Sequence, residues 1–234
     1  MIKIRKSQDR GKFKNSWLDS NHTFSFGEYY DENHMGLSNL RVINDDIVQP
    51  GTGFATHSHR NMEIISYVID GELEHKDSMG NGGVIKPGDV QRMSAGTGIN
   101  HSEYNPSKTN KVNFLQIWIE PNQLDIEPEY EQRYFNPNDN KNELKLLISP
   151  DGREGSIKMH SDALMYSAKL DSNKQLNLNL TKDRISFLHL INGKLRISNQ
   201  ILQAGEAATI YKDMSTDIEA IDKSEFIYFN LPRH

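Results

Sequence analysis

Gly51-Thr52-Gly53-Phe54-Ala55-Thr56-His57-Ser58-His59-Arg60-Asn61-Met62-Glu63 is answered some forty residues later by Asn100-His101-Ser102-Glu103-Tyr104. His57 and His59 are two apart, as are His101 and Glu103. In a strand, side chains at i and i+2 leave the same face. If both pieces are strands, each offers two ligand-type side chains on one side, and three imidazoles and a carboxylate can meet in one pocket. Such a set suits a borderline divalent metal such as iron, nickel, copper or zinc, with coordination positions left for an outside ligand.

The surrounding chain has the texture such strands need. Leu40-Arg41-Val42-Ile43-Asn44 reads as a strand, and Gln49-Pro50-Gly51-Thr52-Gly53 as a turn. Glu63 to Ile69 is rich in β-branched residues, Asp70-Gly71 signals a hairpin, and Lys86-Pro87-Gly88-Asp89 is a further turn. Val90 to Ser94 and Val112 to Ile119 complete the set, and Thr23 and Ser25 alternating with Phe24 and Phe26 suggest a half-buried strand. Short strands punctuated about every 8 to 12 residues by Gly and Pro mark an all-β sandwich or barrel.

After Pro121 the chain becomes polar, with Glu129 to Arg133 and Asn136 to Asn142 forming a connection expected to be partly helical. The expected boundary divides the chain into domains 1–135 and 136–234. Strand rhythm then resumes: Phe187 to Leu195 mirrors Ile65 to Leu73, Gln203 to Ala207 mirrors Lys86 to Val90, and Glu225 to Pro232 mirrors Val112 to Pro121. The second half reads as a degenerate copy of the first. Counting 14 and 12 residues back from Gly71 gives His57 and His59, whereas the same steps from Gly193 give Asn179 and Thr181. Counting 13 and 15 onward from Gly88 gives His101 and Glu103, whereas Gly205 gives Ile218 and Ala220. The copy keeps the framework without the four ligands, so the expected metal site is single and N-terminal.

Composition narrows the rest. The chain has no Cys, which excludes disulfides and thiolate ligands and leaves His, Asp and Glu for any metal. A formal net charge of -5 argues against nucleic acid as a direct partner. No apolar run reaches the ~18 residues of a membrane helix, and the basic start Met1 to Lys6 lacks a signal-peptide core. The expectation is a cytoplasmic protein with no membrane contact.

The spacing Gly51-x5-His57-x-His59-x3-Glu63-x7-Gly71 resembles the first motif of the cupin superfamily. Gly88-Asp89, Gly96 and His101-x3-Asn105 resemble its second, with Ser94 where Pro is usual and His101 two residues late. Trp17 to Ser20, His22 to Gly27, His59 to Tyr67 and Gly88 to Glu103 are similar to the pirin family specifically, a likeness that runs from about Arg10 to Tyr134. The second half resembles the shorter, metal-free second cupin domain of bacterial pirins through its framework alone.

This resemblance implies an all-β bicupin: two tandem double-stranded β-helix (jelly-roll) barrels with minor helical connections. It implies one mononuclear metal held by His57, His59, His101 and Glu103, with iron(II) the first choice and nickel, copper, zinc or manganese as alternatives. It implies a metal-dependent dioxygenase that opens a flavonol such as quercetin with dioxygen and releases carbon monoxide. Its partners would be a small aromatic substrate and dioxygen, with Glu103 as catalytic base. The family also includes nuclear cofactors of transcription regulators, so the alternative is a metal-dependent regulatory protein that binds a metabolic enzyme or transcription regulator as its protein partner. Glu63 shares the parity of His57 and His59 and is expected just behind the ligands, orienting an imidazole or a metal-bound water. Phe54, Met93 and Trp118 are candidates to line a flat apolar pocket, against a default reading of each as core packing. His75 and His160 have no partner at ligand spacing and are read as structural.

Overall fold

A computed structural model describes residues 1–139, 141–178, 181–211 and 216–233. The chain is built almost wholly of strands, with single 3-10 turns at Ser7–Asp9 and Arg153–Gly155 as its helical elements among the described residues.

Two compact units result. One comprises Gly11–Phe135 and Met159–Ser161; the other comprises Met1–Arg10, Asn136–Lys158 and the chain from Asp162 onward. The first ten residues thus leave the expected 1–135 domain. The reason is pairing: the strand Ile2–Arg5 lies antiparallel to Ala207–Ile210.

In the first unit a seven-stranded sheet runs Glu129–Tyr134, Asp89–Ser94, Glu63–Asp70, Val112–Ile119, Leu40–Val48, Leu18–His22, Gly11–Lys14. A four-stranded sheet runs Gly53–His59, Ile99–Tyr104, Leu73–Asp77, Gly82–Ile85. Leu18, Val48, Val68, Leu73, Ile85, Val112 and Phe114, drawn from both sheets, form one buried apolar cluster. Two expectations fail here. Glu129 to Arg133 is an edge strand rather than helix, because Tyr130 and Gln132 alternate with charged residues and the backbone pairs with Asp89–Ser94. Thr23 to Phe26 is not a strand; Leu18–His22 is, and the chain then bends where the Ser25 hydroxyl donates to the Asp31 carbonyl at 2.9 Å.

The second unit repeats this order. Its seven-stranded sheet runs Ile2–Arg5, Ala207–Ile210, Arg184–Asn192, Ser224–Pro232, Leu164–Leu170, Lys145–Ser149, Ile157–Lys158. Its four-stranded sheet runs Gln175–Leu178, Thr216–Ala220, Lys194–Ile197, Gln200–Gln203. The hairpin glycines Gly71 and Gly193 take the same left-handed conformation, at φ 81° and 85°, where a side chain would be strained. The repeat read from the sequence is therefore a repeat of topology. Of the four positions that stand where the ligands would be, Ile218 and Ala220 lie in an apolar cluster with Leu178, Leu195 and Phe226. Thr181 is exposed, and Asn179 lies outside the described residues.

Candidate metal centre

His57 and His59 stand on Gly53–His59, and His101 and Glu103 on its antiparallel neighbour Ile99–Tyr104. His101 is registered against His57, and Glu103 against Phe54, so the register slips between the two ligands. Such a bulge bends the strand and re-aims its side chains. The three imidazoles converge, with ring centroids 4.4 Å apart for His57 and His101, 4.8 Å for His57 and His59, and 4.9 Å for His59 and His101.

The ring orientations favour ligation. His57 Nδ1–H donates to the Ala55 carbonyl at 2.8 Å, which leaves the Nε2 lone pair free. That Nε2 lies 3.0 Å from His101 Nε2, a contact that needs one electrophile, a proton or a metal ion, between the nitrogens. Two nitrogens at right angles, each about 2.1 Å from one ion, would stand roughly 3 Å apart. Burial, then the charge of neighbouring imidazoles, pushes His59 down to about 4 and His101 to about 2. Both are neutral at neutral pH, the state a metal requires. The donor set therefore fits one divalent ion.

Glu103 is 1% exposed. The Ser66 hydroxyl donates to its Oε1 at 2.8 Å and the Gln116 amide to its Oε2 at 2.6 Å. Burial raises its pKa to about 7, and these two donors oppose the rise. Among the described residues two clusters of ligand-type atoms lie within 4.8 Å of one another: His57, His59 and His101, and His75, His101 and Glu103. Glu103 thus adjoins the triad through His101.

His75 was read as structural from sequence, yet it is fully buried beside the ligands. Its Nε2 is 3.4 Å from Asp77, its ring stacks on Tyr130 at 5.1 Å, and it lies 5.4 Å from His101. The overlooked signal is its own i,i+2 pairing with Asp77, which places both on the inward face. His22 lines the cavity beside the site.

Two other expectations are corrected. Glu63 does not sit behind the imidazoles. It starts a strand of the other sheet, faces away from the barrel interior, and accepts from the Ser94 hydroxyl at 2.8 Å. Asn61, at φ 49°, breaks the alternation on which the parity count depended. Met93 is fully buried with Ile64, Ala95 and Ile99 and is absent from the cavity wall. Phe54 and Trp118 do line that cavity, which has a volume of about 260 Å³ and also opens on His57, His59 and Glu103. Trp118 meets His59 edge to face at 4.9 Å.

Comparison with known proteins agrees with this architecture. Residues 3–119 match the family model described as Pirin, and residues 146–231 that of the quercetinase C-terminal cupin domain. A quercetin 2,3-dioxygenase of Escherichia coli (strain K12) is 44% identical over 232 residues, covering 99% of each chain. The chain belongs to the pirin family. A pirin-like protein of Caulobacter vibrioides is 37% identical to this pirin, covering 95% of this chain and 97% of that one. Among solved structures, the E. coli bacterial pirin YhhW in complex with nickel(II) superposes with a TM-score of 0.95 at 43% identity, covering 100% of both chains. No helix among the described residues is long and apolar enough to cross a membrane.

Proposed function

We propose that this pirin is a cytoplasmic, metal-dependent dioxygenase that opens a flavonol such as quercetin with dioxygen. The observation that carries the reading is the meeting of three imidazoles, with the buried Glu103 carboxylate beside His101, at an aromatic-lined cavity that opens on His57, His59 and Glu103. His57, His59, His101 and Glu103 would hold one ion, iron(II) by preference. Nickel is supported by the nickel(II) complex of the E. coli pirin, and copper, zinc and manganese suit the same donors.

When bound, the ion supplies Lewis acidity toward the flavonol 3-hydroxyl and a place for dioxygen beside it. The protein does the rest. Glu103, buried and lining the cavity, accepts the hydroxyl proton as general base. Ser66 and Gln116 fix both of its oxygens. Phe26, Phe54 and Trp118 offer aromatic surface to a flat substrate and keep water from it. The overall change balances: both atoms of dioxygen enter the opened ester, and the carbon that bore the hydroxyl leaves with its oxygen as carbon monoxide.

The test is oxygen uptake by protein reconstituted anaerobically with iron(II), or with nickel(II), and then given flavonol and dioxygen. One dioxygen consumed per flavonol supports the reading. A loaded protein that consumes no dioxygen with quercetin or related flavonols overturns it.

A further inference from the structure

The seven-stranded sheet of the first unit carries a row of polar side chains across six of its strands. Register places Gln132 opposite Gln91, Gln91 opposite Ser66, Ser66 opposite Gln116, Gln116 opposite Asn44, and Asn44 opposite His22. Gln91, Ser66, Gln116, Asn44 and His22 are all buried. Of the rows beside it, one runs Val68, Phe114, Asp46 and Ser20, and the other, Met93, Ile64, Trp118 and Val42, is apolar.

The same row in the second unit shows that the fold does not require this. There Ile4, Ala208, Leu188, Tyr228, Tyr166 and Leu146 follow one another across the equivalent strands. Ala208, Leu188 and Tyr228 belong to an apolar cluster on which Ile4 and Tyr166 pack. The polar row occurs in the barrel that has the imidazoles.

Ser66 and Gln116 are accounted for, because they hold Glu103. Asn44 is not. It is 3% exposed, lines the cavity, and its side-chain oxygen is buried without a hydrogen bond from any described residue. Burying an amide unpartnered is unfavourable, and a ligand hydroxyl in the cavity would pair with it. Its register neighbour Gln116 contacts Glu103, so a group that reaches Asn44 lies beside the base and in the same cavity as the imidazoles.

We propose that Asn44 is a specificity-determining residue whose side-chain amide hydrogen-bonds a ring hydroxyl of the aromatic substrate, distinct from the hydroxyl that Glu103 deprotonates. This rests on the flavonol reading and extends it: the site selects polyhydroxylated flat aromatics over analogues lacking that one donor. A site built to bond a hydroxyl discriminates strongly against a ligand without it, because its own polar group is left unpaired.

The test measures dissociation constants without dioxygen, by quenching of tryptophan fluorescence, for quercetin and flavonols each lacking one ring hydroxyl. Metal-loaded wild type is compared with Asn44→Leu, Asn44→Ala and Asn44→Asp. The expected result is that loss of one particular hydroxyl weakens wild-type binding about tenfold. Asn44→Leu and Asn44→Ala should bind quercetin about tenfold more weakly and the analogue unchanged, and Asn44→Asp, which keeps a hydrogen-bonding side chain of the same size, should keep the preference. Equal weakening of all flavonols in the variants, no hydroxyl preference in wild type, or no binding at all would overturn the assignment. Because turnover is not read, a hydroxyl preference lost in Asn44→Leu stands even if dioxygen uptake fails. Conversely, uptake with every flavonol unaltered by Asn44→Leu leaves the dioxygenase reading intact and removes this one.

Discussion

Gln116 and Glu103 stand on different sheets of the first barrel and are joined by a 2.6 Å hydrogen bond from amide to carboxylate. With the Ser66 hydroxyl on the other oxygen, this bond fixes a charged group that burial alone would neutralise. The two donors determine where the base points as well as how readily it ionises.

Removing them should therefore impair turnover more than ion binding. Gln116→Leu and Ser66→Ala are expected to lower kcat about 10- to 100-fold, the range seen when hydrogen-bond supports of metal ligands are lost. Elemental analysis should find ion content close to wild type, and steady-state oxygen uptake should place the loss in kcat rather than KM.

Glu103 should also mark the stability of the metal-free protein. Burial raises its pKa from an ordinary 4.5 to about 7, so the folded chain holds this proton more tightly than the unfolded one. The contribution is full below the unfolded value and declines as pH rises through about 7. Urea midpoints of metal-free wild type, referred to those of Glu103→Gln, should fall between pH 5 and pH 8; a flat difference would show that Glu103 is not buried as described.

The imidazoles carry the opposite sign. His59 and His101 are pushed down to about 4 and about 2, so their contribution is present above the ordinary 6.5 and is lost as pH falls toward these values. Protons compete poorly for them, and the bound ion should be retained near pH 6 and released as pH approaches 4. Dialysis over a pH series with elemental analysis checks this, and His101→Ala should release its ion at higher pH than wild type.

At Gly53 the two ligand strands approach closely. A Cβ there would lie 2.2 Å from the Glu103 carbonyl oxygen and 2.5 Å from Tyr104 Cα, so the backbone must move. Gly53→Ala should disturb the register that sets His101 opposite His57 and weaken ion binding about tenfold or more. Far-UV circular dichroism should be unchanged, and isothermal titration with nickel(II) reads the affinity.

How much was legible follows from where each pattern is stored. The pairs His57/His59 and His101/Glu103 could be read because a strand's alternation is local, and the two barrels because turns such as Asp70-Gly71 recur at matching places. Glu63 was misread because alternation was counted through Arg60 to Met62, where the chain turns and changes sheet. Met93 shares the inward face with the cavity residues, but neighbouring apolar side chains cover it. Ile2–Arg5 joined the distant barrel because nothing local says which sheet edge a first strand will complete. The row from Gln132 to His22 draws single residues from six strands, and only register assembles it.

The most direct test of the account joins ion content to dioxygen consumption in one preparation. Wild type reconstituted with iron(II) or nickel(II) should hold one ion per chain and consume one dioxygen per quercetin, and His57→Ala/His101→Ala should lose both while keeping its β-rich circular dichroism. Ion content unchanged in the double variant, or a fully loaded wild type that leaves dioxygen untouched, would contradict it.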